Sequence, residues 1–169
     1  MKYMQKFSIL WVSLLVVLIS GCSSHHFTIS QPKLITLKTP KIKYSDMGYL
    51  RYDNDAVQVE LFTAGVSIEK ITLDSDVCVS AGCMSEEKFV KEYLNPAYPS
   101  DTMRRILQNM DIFKGEGKRE SCGGNIYQYI RNDAMDIVYK RTAGEIYFKD
   151  RLNNLMIRIE DVKENNATE

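Results

Sequence analysis

Cysteine and histidine are the residue types here that could carry nucleophilic or metal chemistry; the chain has four cysteines and two histidines. His25 and His26 are adjacent, and adjacent side chains of an extended chain point in opposite directions, so they do not converge on a metal ion. No later histidine could complete a zinc site with the cysteines or act as a general base. We therefore predict no metal and no cofactor.

The other motifs do not indicate an enzyme. Gly123 and Gly124 stand alone, without the Lys-Ser/Thr that completes a phosphate-binding loop. The acidic residues are numerous but fall in no recognised catalytic pairing, so we predict no catalytic residues. The 22 Lys+Arg residues balance 22 Asp+Glu residues, which argues against a basic nucleic-acid-binding protein and thus against a nucleic-acid partner.

Residues 1–21 have the pattern of a secretory signal peptide. Lys2 and Lys6 make the start basic, and residues 7–19 are almost wholly apolar. Ser20 and Gly21 then supply small residues at the point of cleavage. The apolar run is shorter than the roughly 20 residues that span a bilayer comfortably. We therefore predict export.

Residues 19–22, Ile-Ser-Gly-Cys, resemble the lipobox of bacterial lipoproteins. The resemblance implies a diacylglyceryl thioether on Cys22, cleavage before it, and acylation of the new amino terminus with a fatty acid such as palmitate. More than one acyl chain makes membrane attachment durable. Ser23 stands where an Asp would favour inner-membrane retention in that family. The expectation is therefore an outer-membrane anchor, with the domain facing the periplasm.

With Cys22 assigned to the lipid, three cysteines remain in an oxidising compartment. An odd number allows at most one intramolecular pair. Cys78 and Cys83 bracket only four residues, and we predict that they form a structural disulfide worth about 2–3 kcal/mol. Cys122 remains an alternative partner for either, or the site of an intermolecular or redox bridge.

The chain divides into four parts. Residues 1–21 are the signal, residues 22–46 are the lipidated cysteine and a polar tether, residues 47–162 are the domain, and residues 163–169 are a polar tail. Isolated aliphatic residues in the tether allow an edge strand, in which case the domain begins near Leu34. The tail contains an acidic-x-Asn-x-Thr pattern, which makes Asn166 a possible N-glycosylation site.

Within the domain, alternating apolar residues predict two groups of strands. The early strands cover residues 49–52, 56–62, 66–73 and 76–80, with a bulge near residues 69–70. The late strands cover residues 126–131, 136–142, 145–149 and 155–161. Short turns between them favour antiparallel pairing. The predicted class is α+β: a single curved antiparallel sheet, half-barrel-like, with two helices inserted between its N- and C-terminal strands.

The two helices are predicted over residues 85–94 and from residue 100 or 101 to residue 113. Ser85 caps the first helix, and Asn95-Pro96 ends it. Their apolar stripes must pack on one face of the sheet, over a filled core or over a cavity. The candidate cavity residues are Phe89, Tyr93, Met103, Ile106, Leu107 and Met110.

The order of elements over residues 49–162 resembles the LolA/LolB family of lipoprotein carriers. It rests on the early strands, the helix pair at residues 85–113 and the closing segment 154–159, Asn-Leu-Met-Ile-Arg-Ile. The resemblance implies a half-open barrel with helices over an apolar cavity, and a receptor that takes acyl chains at the outer membrane. That receptor displays an exposed aliphatic side chain on an early loop, where this chain offers Phe62.

Two functions follow from these observations. In the first, the protein binds an apolar ligand or acyl chain in lipoprotein localisation or envelope assembly. In the second, its core is filled, and it is a structural or protein-interaction lipoprotein of an envelope complex. The volume between helices and sheet discriminates the two, because a carrier needs a few hundred Å³ of apolar space there.

Overall fold

The computed structural model describes residues 27–163, and these form one antiparallel sheet with two short helices on it. Eleven strands follow the order β6-β5-β4-β3-β2-β1-β11-β10-β9-β8-β7, so β6 and β7 are the two edges. The strands are β1 Ile29–Lys38, β2 Lys43–Tyr52, β3 Val57–Thr63, β4 Val66–Leu73, β5 Val77–Val79, β6 Gly82–Met84, β7 Lys118–Glu120, β8 Ile126–Arg131, β9 Asp136–Arg141, β10 Glu145–Asp150 and β11 Leu155–Asp161.

The amino-terminal boundary of the domain differs from the prediction. Residues 29–46, which we had assigned to the tether, form β1 and the first part of β2. Strand β1 is not an edge, because β2 pairs with one side of it and β11 with the other. Ile35 and Leu37 are each only 1% exposed, so this polar-looking segment supplies part of the core. Residues 29–46 thus belong to the sheet and not to a tether.

Both predicted helices lie between the two groups of strands, but they are shorter than predicted. Helix α1, Glu86–Phe89, begins at Ser85, whose hydroxyl accepts a hydrogen bond from the Lys88 amide. It continues as a π-helical turn, Val90–Leu94. Helix α2 is Thr102–Leu107, and a 3-10 turn follows at Phe113–Gly115.

The second helix ends early because Asn109 adopts a positive φ of 56°, outside the right-handed helical region. Met110 is therefore displaced from the stripe that the helical spacing predicted, and its side chain is 43% exposed. Its assignment to the apolar stripe was wrong for this reason.

The β-bulge lies one residue from its predicted place, because the register between β3 and β4 skips Ile68.

The sheet has two chemically different faces. The covered face packs against the helices and carries buried apolar side chains, among them Ile35, Leu37, Leu50, Ile71, Phe148 and Ile157. The open face carries the alternate side chains, among them Leu34, Lys38, Lys43, Met47 and Tyr49. These names are kept below.

Candidate functional site

Five of the six candidate cavity residues pack tightly on the covered face. Their exposed fractions run from 0 to 9%, and they belong to one continuous core with the sheet. The rings of Phe89 and Tyr93 stack with centroids 4.6 Å apart. These residues are Phe89, Tyr93, Met103, Ile106 and Leu107. The structure thus brings them together in the core, and none of them is a wall of the three grooves described below.

One small groove does reach the covered face. It encloses about 180 Å³ beside Asn109, with Leu50, Tyr52, Ile146 and Ile159 among its walls. Small-molecule sites commonly enclose about 300–1,000 Å³, so this space is small for a lipid chain.

Polar contacts tie the helices to the sheet near the Ile29 end. Arg104 of α2 forms an ion pair with Glu86 of α1 and donates to the carbonyls of Asp55, Leu73 and Asp74, at the ends of strands. The Tyr52 hydroxyl donates to the Leu107 carbonyl over 3.1 Å. Burial raises the pKa of Tyr52 to about 12, so it remains a neutral donor at physiological pH.

A second set of contacts ties the helix connection to the other end of the sheet. The Tyr98 hydroxyl donates to Asp150, whose side chain is fully buried. Asp150 also accepts from the amides of Asp136, at 3.1 Å, and Leu152, at 2.9 Å. Burial raises the pKa of Asp150, but hydrogen bonds from Tyr98, Asn153 and nearby amides outweigh it and leave the pKa below its ordinary value. Asp150 is therefore a buried carboxylate with a structural role.

Gln128 holds the segment after α2 in the same way. Its buried amide accepts from the Ile112 N–H and donates to the Ile112 and Glu116 carbonyls, each over 2.9 Å. The Tyr139 hydroxyl donates to the Met110 carbonyl, and burial raises the pKa of Tyr139. These polar groups hydrogen-bond within the protein and hold in place the cover, which is the helical segment 85–117 between β6 and β7.

Cys78 and Cys83 are joined by a disulfide between β5 and β6, with Sγ atoms 2.02 Å apart. They are directly opposite in the register of these strands, on the open face. Cys122 is a free, exposed thiol in the turn between β7 and β8. The disulfide and the free thiol therefore sit near opposite edges of the sheet.

A large groove lies at one end of the sheet, between the β1–β2 turn and the β10–β11 turn. It encloses about 750 Å³. Its walls are Lys38, Thr39, Pro40, Lys43, Tyr44, Ser45, Asn153, Asn154 and Leu155, which include two cations and no carboxylate. We call it the lysine groove. Sequence reasoning missed it because residues 38–45 were assigned to the tether; the signal was three lysines within six residues around Pro40.

An apolar patch lies beside the lysine groove on the open face. Leu34 and Met47 are directly opposite in β1 and β2, and are 42% and 46% exposed. Tyr49 is also exposed, and its ring meets that of Phe62 edge-on with centroids 5.6 Å apart. Met47, Tyr49 and Phe62 line a further groove of about 350 Å³ by the β3–β4 turn. Leu34, Met47, Tyr49 and Phe62 are the open-face patch.

Several predicted features lie outside residues 27–163: Cys22, Asn166, and the pair His25 and His26. Within the described range, no group of three or more His, Cys, Asp or Glu side chains is placed to hold a metal ion. No helix within that range is long and apolar enough to cross a membrane.

Comparison with known proteins gives no relative. No family model matches the chain, and neither the curated proteins nor the solved structures contain a significant match.

Proposed function

We propose that this protein is a non-catalytic lipoprotein of the bacterial outer membrane that acts by binding a partner on its surface. The export signal and the lipobox-like Ile-Ser-Gly-Cys support the anchor. The observation that carries surface binding is the packing of the cover: Met103, Ile106 and Leu107 are at most 2% exposed against the covered face. Such close packing favours binding at the surface over binding between helices and sheet.

The start of the sheet at Ile29 sharpens the anchoring proposal. Seven residue steps separate Cys22 from Ile29, so even a fully extended chain reaches only about 25 Å. The domain is then held beside the membrane surface, where its open face meets envelope components.

A second candidate is the acyl-chain carrier that the LolA/LolB resemblance implies, with the sheet curved as a half-barrel. One observation favours it: the whole cover is a single insert between β6 and β7. Polar contacts of Arg104, Tyr98, Tyr52, Gln128 and Tyr139 hold it on the covered face. In this candidate those contacts break, and the insert lifts from the covered face to admit a chain.

Photo-crosslinking in living cells separates the two candidates. A crosslinking residue at Met103 samples the space beneath the cover, and one at Met47 samples the open-face patch; Leu152, an exposed residue in the β10–β11 turn, is the matched control. Surface binding predicts a partner adduct from Met47 and none from Met103. Acylated adducts from Met103 would overturn it in favour of the carrier. Radiolabelled palmitate on the chain, lost in Cys22→Ser, tests the anchor separately.

A further inference from the structure

We propose that the lysine groove binds the phosphate headgroup of an acidic phospholipid, with the acyl chains lying on the open-face patch. This inference deepens the proposed surface binding by naming the chemistry of its ligand. It rests on the proposed function in one respect, which is that the membrane anchor places the groove next to phospholipid.

Positive charge is concentrated at the lysine groove. Lys38 and Lys43 are directly opposite each other in β1 and β2. Like charges at such positions destabilise a sheet. The same row of the open face continues over the next two strands. Met156 of β11 is directly opposite Lys38, and Lys149 of β10 is directly opposite Met156. Three lysines therefore share one row across four strands.

These lysines differ from other cations of the open face. Arg51 and Lys70 pair with Glu60, and Arg158 pairs with Glu145. Among residues 27–163, by contrast, none of Lys38, Lys43 and Lys149 forms an ion pair. A row of like charges that the fold leaves uncompensated is suited to an anion supplied from outside.

Hydrogen bonds hold the turn that carries Lys38 and Lys43. The Thr39 hydroxyl accepts from the amides of Lys41, at 3.3 Å, and Ile42, at 3.0 Å. The Thr39 amide donates to the Ile42 carbonyl over 2.8 Å. The Lys41 ammonium lies 6.0 Å from the centre of the Tyr93 ring, which connects the turn to the cover. The backbone of this wall of the groove is thus preformed, and binding does not have to order it.

The size and the walls of the groove favour a phospholipid over a free anion. The groove, at about 750 Å³, is in the size range of small-molecule sites, and Pro40, Tyr44 and Leu155 give it apolar walls. Leu34 lies four residues before Lys38 on the same face of β1, about 13 Å away along the strand. An amphiphile with its phosphate between Lys38 and Lys43 can therefore lay its chains over Leu34 and Met47. Free phosphate has no acyl chain, so it would contact the lysines and not the open-face patch.

Native mass spectrometry of the full chain in a non-ionic detergent tests this proposal. Equal amounts of phosphatidylglycerol and phosphatidylcholine are added, and bound lipids are counted by mass. We expect phosphatidylglycerol to be favoured about tenfold or more, because only this lipid carries net negative charge. The double variant Lys38→Gln/Lys43→Gln should lose that preference. The double variant Lys91→Gln/Lys163→Gln, which removes the same charge at exposed positions elsewhere, should keep it.

Two further measurements define the ligand. Leu34→Ser/Met47→Ser should weaken phosphatidylglycerol binding severalfold, whereas inorganic phosphate, measured by ³¹P line broadening, should be unaffected. If inorganic phosphate displaces phosphatidylglycerol at equal concentration, the anion site stands, but its ligand is free phosphate. Equal binding of the two lipids, or a preference retained by Lys38→Gln/Lys43→Gln, would overturn the proposal, and circular dichroism checks that this variant is folded. None of these outcomes depends on Cys22, so a failed anchor and a failed groove are distinguishable.

Discussion

The two faces of this sheet use the same strands and opposite chemistry. On the covered face, apolar side chains and the helical cover form one core, and buried polar groups such as Asp150 and Gln128 have partners within the protein. On the open face, stability comes from cross-strand ion pairs and a disulfide, and one end has lysines that form no ion pair with any other residue of the range 27–163. The contrast indicates that the covered face holds the fold together, whereas the open face is available for binding.

The largest expected difference between the faces is in apolar truncation. Phe148→Ala removes a fully buried ring from the covered face and should lower the free energy of unfolding by about 3–5 kcal/mol. Tyr129→Ala removes a half-exposed ring and should change it by less than about 0.5 kcal/mol. Urea denaturation followed by circular dichroism measures both. Similar losses for the two variants would mean that the faces are not distinct.

The next largest loss of stability is expected from removal of the buried carboxylate of Asp150. Asp150→Ala leaves the Tyr98 hydroxyl and the Leu152 amide without their acceptor and should cost about 3 kcal/mol. The measurement is the same urea titration. Lys33→Gln removes an ion pair with the exposed Asp161, and should cost no more than about 1 kcal/mol.

The pH dependence of stability tests the same carboxylate. Its folded-state pKa lies below the unfolded value of about 3.9, so its stabilising contribution is present above that pH. It is lost as the pH falls through the folded-state pKa. We expect the melting temperature of the wild-type chain to fall more steeply below about pH 4 than that of Asp150→Asn. Parallel curves would show that Asp150 makes no such contribution.

The disulfide should contribute less than the core residues. Reduction of Cys78–Cys83 frees a short loop and should lower the free energy of unfolding by about 2 kcal/mol in the chain-entropy account. Thermal melts with and without a reducing agent measure this difference. Cys122→Ser should melt as the wild type does, and should keep the sensitivity to reduction. A variant insensitive to reduction would show that Cys122 takes part in the bridge.

The smallest expected effect is a gain in the free energy of unfolding instead of a loss. Lys38→Gln removes a like-charge pair with Lys43 and should raise the free energy of unfolding by about 0.2–0.5 kcal/mol at low salt. Added salt should reduce the gain, because it screens exposed charges. Chemical denaturation at two ionic strengths measures it. A loss of stability would indicate that Lys38 has a partner within the protein, and would weaken the case for the lysine groove.

The sequence predicted an element correctly where the interactions that form the element are local along the chain. The late strands β8 and β11 were predicted with correct bounds, since their alternation and turns are local signals. Strands β6 and β7 were not predicted, because each has only three residues and a segment that short shows no clear alternation of apolar and polar residues. The second helix was predicted too long because nothing in its apolar spacing reports the positive φ of Asn109.

By itself, the sequence determined the antiparallel sheet with an inserted helix pair and the helix start at Ser85, because these depend on neighbours along the chain. It also predicts export and lipidation at Cys22. Only the tertiary structure decided that β1 lies at the centre of the sheet, because its stabilising partner is β11, at the other end of the domain sequence. It also decided the lysine groove, which exists only where residues 38–45 meet residues 153–155. Pairing between distant segments creates both features, and the composition of neither segment encodes that pairing.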